Sequence, residues 1–332
     1  METTPETPLS TSVASRRLSE IRMRDPFILE PTPDRFVLFG TTDDNPWSGR
    51  ATGFDCYTSH DLMNWNGPFP AFRPPAGFWS DTQFWAPEVH AHDGRFYLFA
   101  TFANSAHTRP RGVAVLVSDE ATGPFEPWSD GPVTPDGHPC VDGTLHMDAD
   151  GDPWLIYGRG AEGTPGGETG ISDGEMYALR LAPDLKGPAG TPRLLFTASS
   201  ADWSVPLSFP DGVEPPKELN LAKDPRFTDG PFVVQSPGSP LRMLWSSHGK
   251  NGYTLGVATS ESGMITGPWV QRKEPLWAGN GGHGMILHMA NGRNCLVFHA
   301  PNETPNERVA LIDVKISPDD ITLLSGTDTA LL

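Results

Sequence analysis

Three aspartates, Asp25, Asp142 and Asp229, open widely separated stretches of this 332-residue chain in similar local settings. They stand in Arg24-Asp25-Pro26-Phe27, Val141-Asp142-Gly143-Thr144 and Thr228-Asp229-Gly230-Pro231-Phe232. Gathered in a cleft lined with tryptophan, three carboxylates have the ingredients of glycoside hydrolysis. One activates water as a general base and another protonates the leaving oxygen as a general acid. In an inverting reaction their separation, roughly 6.5–9.5 Å, leaves room for that water. A third carboxylate near the acid raises its pKa by like-charge repulsion. Asp25, Asp229 and Asp142 could take those three parts in that order, although the repeat alone does not assign them.

Two further openings complete the set, Trp85-Ala86-Pro87-Glu88-Val89 and Gly281-Gly282-His283-Gly284. After each of the five comes a short turn and an aromatic-rich apolar run, such as Asp34–Gly40 or Asp93–Ala100, and then a third run. Gly67-Pro68, Gly123-Pro124, Gly187-Pro188 and Gly267-Pro268 close the first four blocks. Short alternating runs between turn signals read as one antiparallel sheet per block. Such a sheet cannot bury both faces alone, and radial stacking solves that problem. The expected fold is all-β, a five-bladed β-propeller of four-stranded antiparallel blades with the active site in its central funnel. Equivalent first strands would bring Asp25, Asp142 and Asp229 around one pocket. Residues 1–20 are expected to be a poorly ordered N-terminal extension, and 21–332 a single propeller domain. The inserts Gly160–Gly170 and Asp202–Asp224 are expected to be loops over one mouth of the funnel.

A formal net charge of −17 argues against nucleic acid or an anionic membrane as partner. No apolar run approaches a membrane span. The first twenty residues lack an apolar signal core, from which a cytoplasmic location is expected. Cys56, Cys140 and Cys295 are too few and too scattered for a disulfide framework or a zinc knuckle. Among the aromatics, Phe84 and Trp85 precede Glu88 and would offer a platform for the apolar face of a sugar. Glu88 itself reads equally as a ligand for a sugar hydroxyl or as an acceptor for backbone donors.

The Asp25, Glu88 and Asp142 blocks, together with Gly281-Gly282-His283-Gly284, resemble the signatures of glycoside hydrolase family 43 over about residues 21–316. That resemblance implies a five-bladed propeller that hydrolyses arabinose- or xylose-containing glycans with inversion. It implies Asp25 as general base and Asp142 as the carboxylate that tunes and orients the acid. The family's acid is usually a glutamate in Glu-Gly-Pro, where this chain has Asp229-Gly230-Pro231. Asp229 is therefore the expected acid, with Glu218 in the preceding insert as runner-up. By the same resemblance His283 lies on the axis, where it binds substrate or a structural calcium, and Arg308 reaches the sugar pocket. No cofactor is required.

The expected activity is release of terminal pentose or furanose residues, foremost by an α-L-arabinofuranosidase acting on arabino-oligosaccharides. A β-xylosidase or β-galactofuranosidase is the alternative within the family, so the partner is an oligosaccharide of arabinose, xylose or galactofuranose. A non-catalytic carbohydrate-binding propeller is the alternative of another class. Oligomeric state is left open.

Overall fold

Valine, leucine and aromatic residues alternate along short runs, and in the computed structural model those runs pair into five antiparallel sheets. The structure describes residues 15–163, 169–209, 214 and 217–324, without the side chain of Glu218. Blade one is built from Arg24–Thr32, Arg35–Thr41, Phe54–Ser59 and Asn64–Phe72. Blade two runs from Thr82–His92 through Arg95–Ala103 and Gly112–Ser118 to Glu126–Pro127. Blade three comprises Val141–Met147, Pro153–Arg159, Glu175–Arg180 and Arg193–Thr197. Blade four comprises Asp229–Val234, Arg242–Gly249, Gly252–Ser260 and Trp269–Gln271. Blade five ends the series with Gly282–His288, Asn294–Ala300, Arg308–Ile316 and Ile321–Leu323. The first strand of each blade contacts that of the next, and the fifth returns to the first. The molecule is a five-bladed all-β propeller.

Of the expected N-terminal extension, Ser15–Arg17 pairs with Asn64–Phe72 as a fifth, outer strand of blade one, and residues 1–14 lie outside the described ones. Parts of both inserts, 164–168 and 210–213 with 215 and 216, also lie outside them.

Apolar side chains between neighbouring blades make the core. Phe54, Phe72, Phe78, Phe84 and Phe102 cluster between blades one and two, with Phe102 5.9 Å from Phe54 and 4.8 Å from Phe84 by ring centroids. Phe102→Ala is expected to cost about 3–5 kcal/mol, the range for emptying a buried aromatic site, and denaturant titration will read it. The three cysteines are buried and unpaired.

Every first strand carries the same irregularity near its start. The register to the second strand slips between Arg24 and Phe27, Thr82 and Glu88, Val141 and Thr144, Asp229 and Phe232, and Gly282 and Met285. At each slip one residue has a left-handed backbone: Asp25 (φ 51°), Ala86 (47°), Asp142 (55°), Gly230 (47°) and His283 (52°). A bulge leaves one N–H out of the ladder, and four of the five are taken by a side chain from the second strand of the preceding blade. Ala86 N–H donates to Thr41 Oγ1 (2.9 Å), Asp142 N–H to Thr101 Oγ1 (2.8 Å) and His283 N–H to Ser246 Oγ (2.8 Å). Asp25 N–H donates to His299 Nδ1 (3.1 Å) of blade five, which continues the series around the ring. In blade three the corresponding second-strand residue is Gly158, which has no side chain. Gly230 N–H therefore donates to Asp142 Oδ2 instead, at 3.1 Å. A Cβ on Gly158 would stand 2.5 Å from the Thr228 carbonyl oxygen, so a side chain does not fit there.

Blades one and five share no strand. The seam between them is held by Arg24 Nη1 on Glu307 Oε1 (2.9 Å), Arg22 Nε near Glu307 Oε2 (3.5 Å) and Arg308 Nε donating to the Ser19 carbonyl (3.0 Å). A single isolated bridge, Arg22 to Arg308, joins the backbones.

Candidate active site

Three of the bulge residues, Asp25, Asp142 and His283, line one funnel together with Asp229, a cavity of about 360 Å³. Carboxylates from blades one, three and four thus meet at a common hollow. His283 sits among them: its Nδ1 is 3.2 Å from Asp25 Oδ1 and 3.8 Å from Asp142 Oδ2. Burial alone would lower its pKa, but the Asp25 and Asp142 charges win and raise it to about 10, so the ring is an imidazolium at neutral pH. Asp25 is the counterpart. Burial pushes its carboxyl up, yet the charge and hydrogen bond of His283, aided by Arg24, hold it far below the usual carboxylate range. Thr41 Oγ1 donates to Asp25 Oδ2 at 2.7 Å, fixing one oxygen. Beneath it His299 is held neutral, its pKa pushed down to about 4 by burial and the Arg24 charge. Its Nδ1 therefore accepts from Asp25 N–H, and Nε2–H donates to Asn302 Oδ1 at 3.1 Å.

Asp142 and Asp229, whose ligand atoms lie within 4.8 Å of each other and of His283, share a side-chain hydrogen bond, hence one proton. Burial and the Asp229 charge raise the Asp142 carboxyl well above its ordinary value. Asp229 goes the other way. Burial opposes ionisation, but the Asp142 hydrogen bond, the His283 charge and Tyr253 O–H, which donates to Asp229 Oδ2 at 2.7 Å, favour its carboxylate. Burial and the Asp229 and Asp25 charges keep Tyr253 protonated, so it remains a donor. Asp142 is thus pushed toward its acid form and Asp229 toward its carboxylate, the reverse of the bias an acid at Asp229 would need.

Of the other expected site residues, Trp85 lines the funnel, with its Nε1 on the Pro46 carbonyl (2.6 Å) and its ring edge-on to Trp47 at 5.8 Å. Phe84 does not line it. Its ring is buried in the aromatic cluster between blades one and two. Glu88 lies outside the funnel as well, two residues past the bulge at Ala86, where it pairs with His90 Nε2 (3.1 Å). Arg308 closes the seam, donating to the carbonyls of Ser19, Pro305 and Glu307, and does not reach the pocket. The side chain of Glu218 is outside the described residues. Sequence reasoning missed Tyr253, Arg24, Trp47 and Glu162, all of which line the funnel. Arg24 lies over the Trp47 ring at 4.7 Å.

Asp142, Asp229 and His283 are the one group among the described residues whose ligand atoms, within 4.8 Å of one another, could hold a metal. Calcium takes six to eight oxygens. Two carboxylates that already share a proton, and an imidazolium whose Nδ1 is committed to Asp25, do not fit it.

The sequence profile of glycosyl hydrolases family 43 matches residues 18–322. An endo-arabinase from Bacteroides thetaiotaomicron, known from its crystal structure, is 36% identical, with a TM-score of 0.76 over 91% of this chain and 97% of its own. An extracellular endo-α-(1→5)-L-arabinanase of Bacillus subtilis (strain 168) is 24% identical over 273 residues, 76% of this chain and 74% of that protein. An extracellular exo-α-(1→5)-L-arabinofuranosidase of Cellvibrio japonicus (strain Ueda107) is 24% identical over 291 residues, 82% and 73% respectively. Both of these relatives are named as extracellular, which overturns the cytoplasmic location expected from the N-terminal composition. That composition reports on twenty residues and carries no information about export by other means. With the propeller, the convergent carboxylates and a profile match over nearly its whole length, the chain belongs to glycosyl hydrolase family 43 and is a glycosidase.

Proposed function

We propose that this protein hydrolyses α-L-arabinofuranosidic bonds of arabinan and its oligosaccharides with inversion at the anomeric carbon. The observation that carries the reading is the meeting of Asp25, paired with His283 at 3.2 Å, with the adjoining Asp142 and Asp229 in one funnel. Asp25 is the general base: its fixed carboxylate takes a proton from water as that water attacks. Asp142, pushed toward its acid form, makes its side of the funnel less negative as the leaving oxygen develops charge. Trp85 and Trp47 supply apolar faces for the sugar. The arabinose preference is supported by the names of the three relatives, and a secreted location by two of them.

A second cavity, about 400 Å³, adjoins the funnel through Trp47 and is lined by Gln83, Arg109, Arg111 and Gly163. It offers room for sugar beyond the one in the funnel, which favours a chain substrate over a single terminal sugar. Incubation with linear α-1,5-arabinan, followed by chromatography of products and proton NMR of the first anomer formed, tests both parts. Early β-anomer and short oligosaccharides support the proposal. An α-anomer as first product, or no arabinan turnover beside clear release of xylose from β-1,4-xylo-oligosaccharides incubated in parallel, defeats it.

A further inference from the structure

Asp229 is already engaged inside the wall, accepting from Tyr253 O–H at 2.7 Å and hydrogen-bonded to Asp142, which favours its carboxylate and leaves room for another donor. Glu162 follows the second strand of blade three, in the insert expected to cover the funnel mouth, and its side chain lines the cavity that holds Asp25, Asp142 and Asp229. The residue as a whole is half-buried, yet Oε2 is fully enclosed and has no hydrogen-bond partner among the described residues. An ionised carboxylate oxygen in that state would be far costlier than a protonated one, which favours the acid form. Its neighbour Gly163 lines the second cavity, while Trp47 borders both. Glu162 therefore stands where a glycosidic bond would cross from one cavity to the other.

We infer that Glu162, and not Asp229, is the catalytic acid that protonates the leaving oxygen. The inference rests on the hydrolase reading above and deepens it. In the step, the anomeric C–O bond breaks and its electron pair stays on the leaving oxygen, which takes the proton from the Glu162 carboxyl. Water adds to the anomeric carbon from the opposite side and gives its proton to Asp25. Glu162 then regains a proton from solvent and Asp25 releases one, which restores the starting state. Asp229 keeps a different part, holding the Asp142 carboxyl and the Tyr253 hydroxyl in place. Burial and the Asp229 charge push the Glu162 carboxyl up to about 7 against the pull of Arg111, close to what an acid working near neutrality needs.

The experiment compares Glu162→Gln, Asp229→Asn and Asp25→Ala on arabino-oligosaccharides and on 2,4-dinitrophenyl α-L-arabinofuranoside, whose leaving group needs little protonation. Glu162→Gln is expected to lower kcat on the oligosaccharide by about 10²–10⁴-fold and on the activated glycoside by no more than about tenfold. The alkaline fall of kcat/KM near pH 7 should vanish with it. Asp229→Asn should slow both substrates alike and keep that alkaline fall. Glu162→Asp covers a Gln variant that fails to fold, and should retain the alkaline fall while losing about tenfold or more on the oligosaccharide. Equal losses on both substrates in Glu162→Gln, a selective loss in Asp229→Asn, or an oligosaccharide rate unchanged in Glu162→Asp would overturn the assignment. Failure of the underlying reading looks different: Asp25→Ala would then be as active as the parent, or the parent would turn over neither substrate.

Discussion

Asp25→Ala is expected to lower kcat by about 10⁴-fold on every glycoside the parent cleaves, the upper end for one positioned base. The reason is geometric as well as electrostatic. Asp25 Oδ2 is fixed by Thr41, Oδ1 faces His283, and its backbone N–H is tied to His299 on the preceding blade. Asp229, the other carboxylate favoured in the funnel, is engaged by Tyr253 and Asp142, so water would lose its proton acceptor. The loss should be the same for good and poor leaving groups, because attack by water is needed for both. Steady-state rates on arabino-oligosaccharide and an aryl arabinofuranoside check this, with circular dichroism to verify the fold. Activity within tenfold of the parent would remove Asp25 from the mechanism.

His283→Gln should be the second large effect, on stability and on pH dependence together. Removing the imidazolium leaves buried carboxylates without their compensating charge, a loss of about 3–5 kcal/mol near pH 6. The sign follows from the two shifts. His283 has a folded pKa raised from 6.5 to about 10, so its contribution is complete below 6.5 and fades as pH climbs toward 10. Asp25 is depressed from 3.8, so its share is present above that value and is lost as pH falls toward its folded value. Parent and variant should therefore differ most between about pH 4 and 6.5, and converge toward pH 10. In the variant, burial of Asp25 is no longer offset by His283, so its carboxyl rises and an acid limb should enter the activity profile. Denaturant midpoints across pH, with kcat/KM profiles of both proteins, measure these effects. A stability gap that widens above pH 8 would contradict the charge assignment.

The five blocks and three of their anchors were legible in the sequence, because Asp25, Asp142 and His283 occupy true bulge positions. Blade two was misaligned: matching by residue type chose Glu88, whereas the equivalent position is Ala86, whose side chain carries no charge. A bulge inserts a residue and shifts which side chains face the axis, and composition alone does not reveal where it falls. Asp229 precedes the bulge at Gly230 by one residue yet still enters the funnel, because Gly158 leaves the Gly230 N–H to Asp142 and draws the two walls together. Arg308 was assigned to the sugar pocket by resemblance, but its guanidinium is occupied by carbonyls at the seam. Tyr253 and Thr41 read as ordinary strand residues, since their polar atoms matter only through partners from other strands. Glu162 sits in an insert without periodicity, so nothing in the spacing pointed it inward.

The join between the first and last blades gives the propeller a preferred place to come apart. A ladder shared by chain ends would have to lose many backbone bonds at once, but here apolar packing, a few ionic contacts and one bridge separate closed from open. Any parting there draws His299 and His283 away from Asp25 while all five sheets stay intact. Mild denaturant or high salt should then silence the enzyme before its far-ultraviolet spectrum changes, so that catalysis reports on the ring and not on the blades.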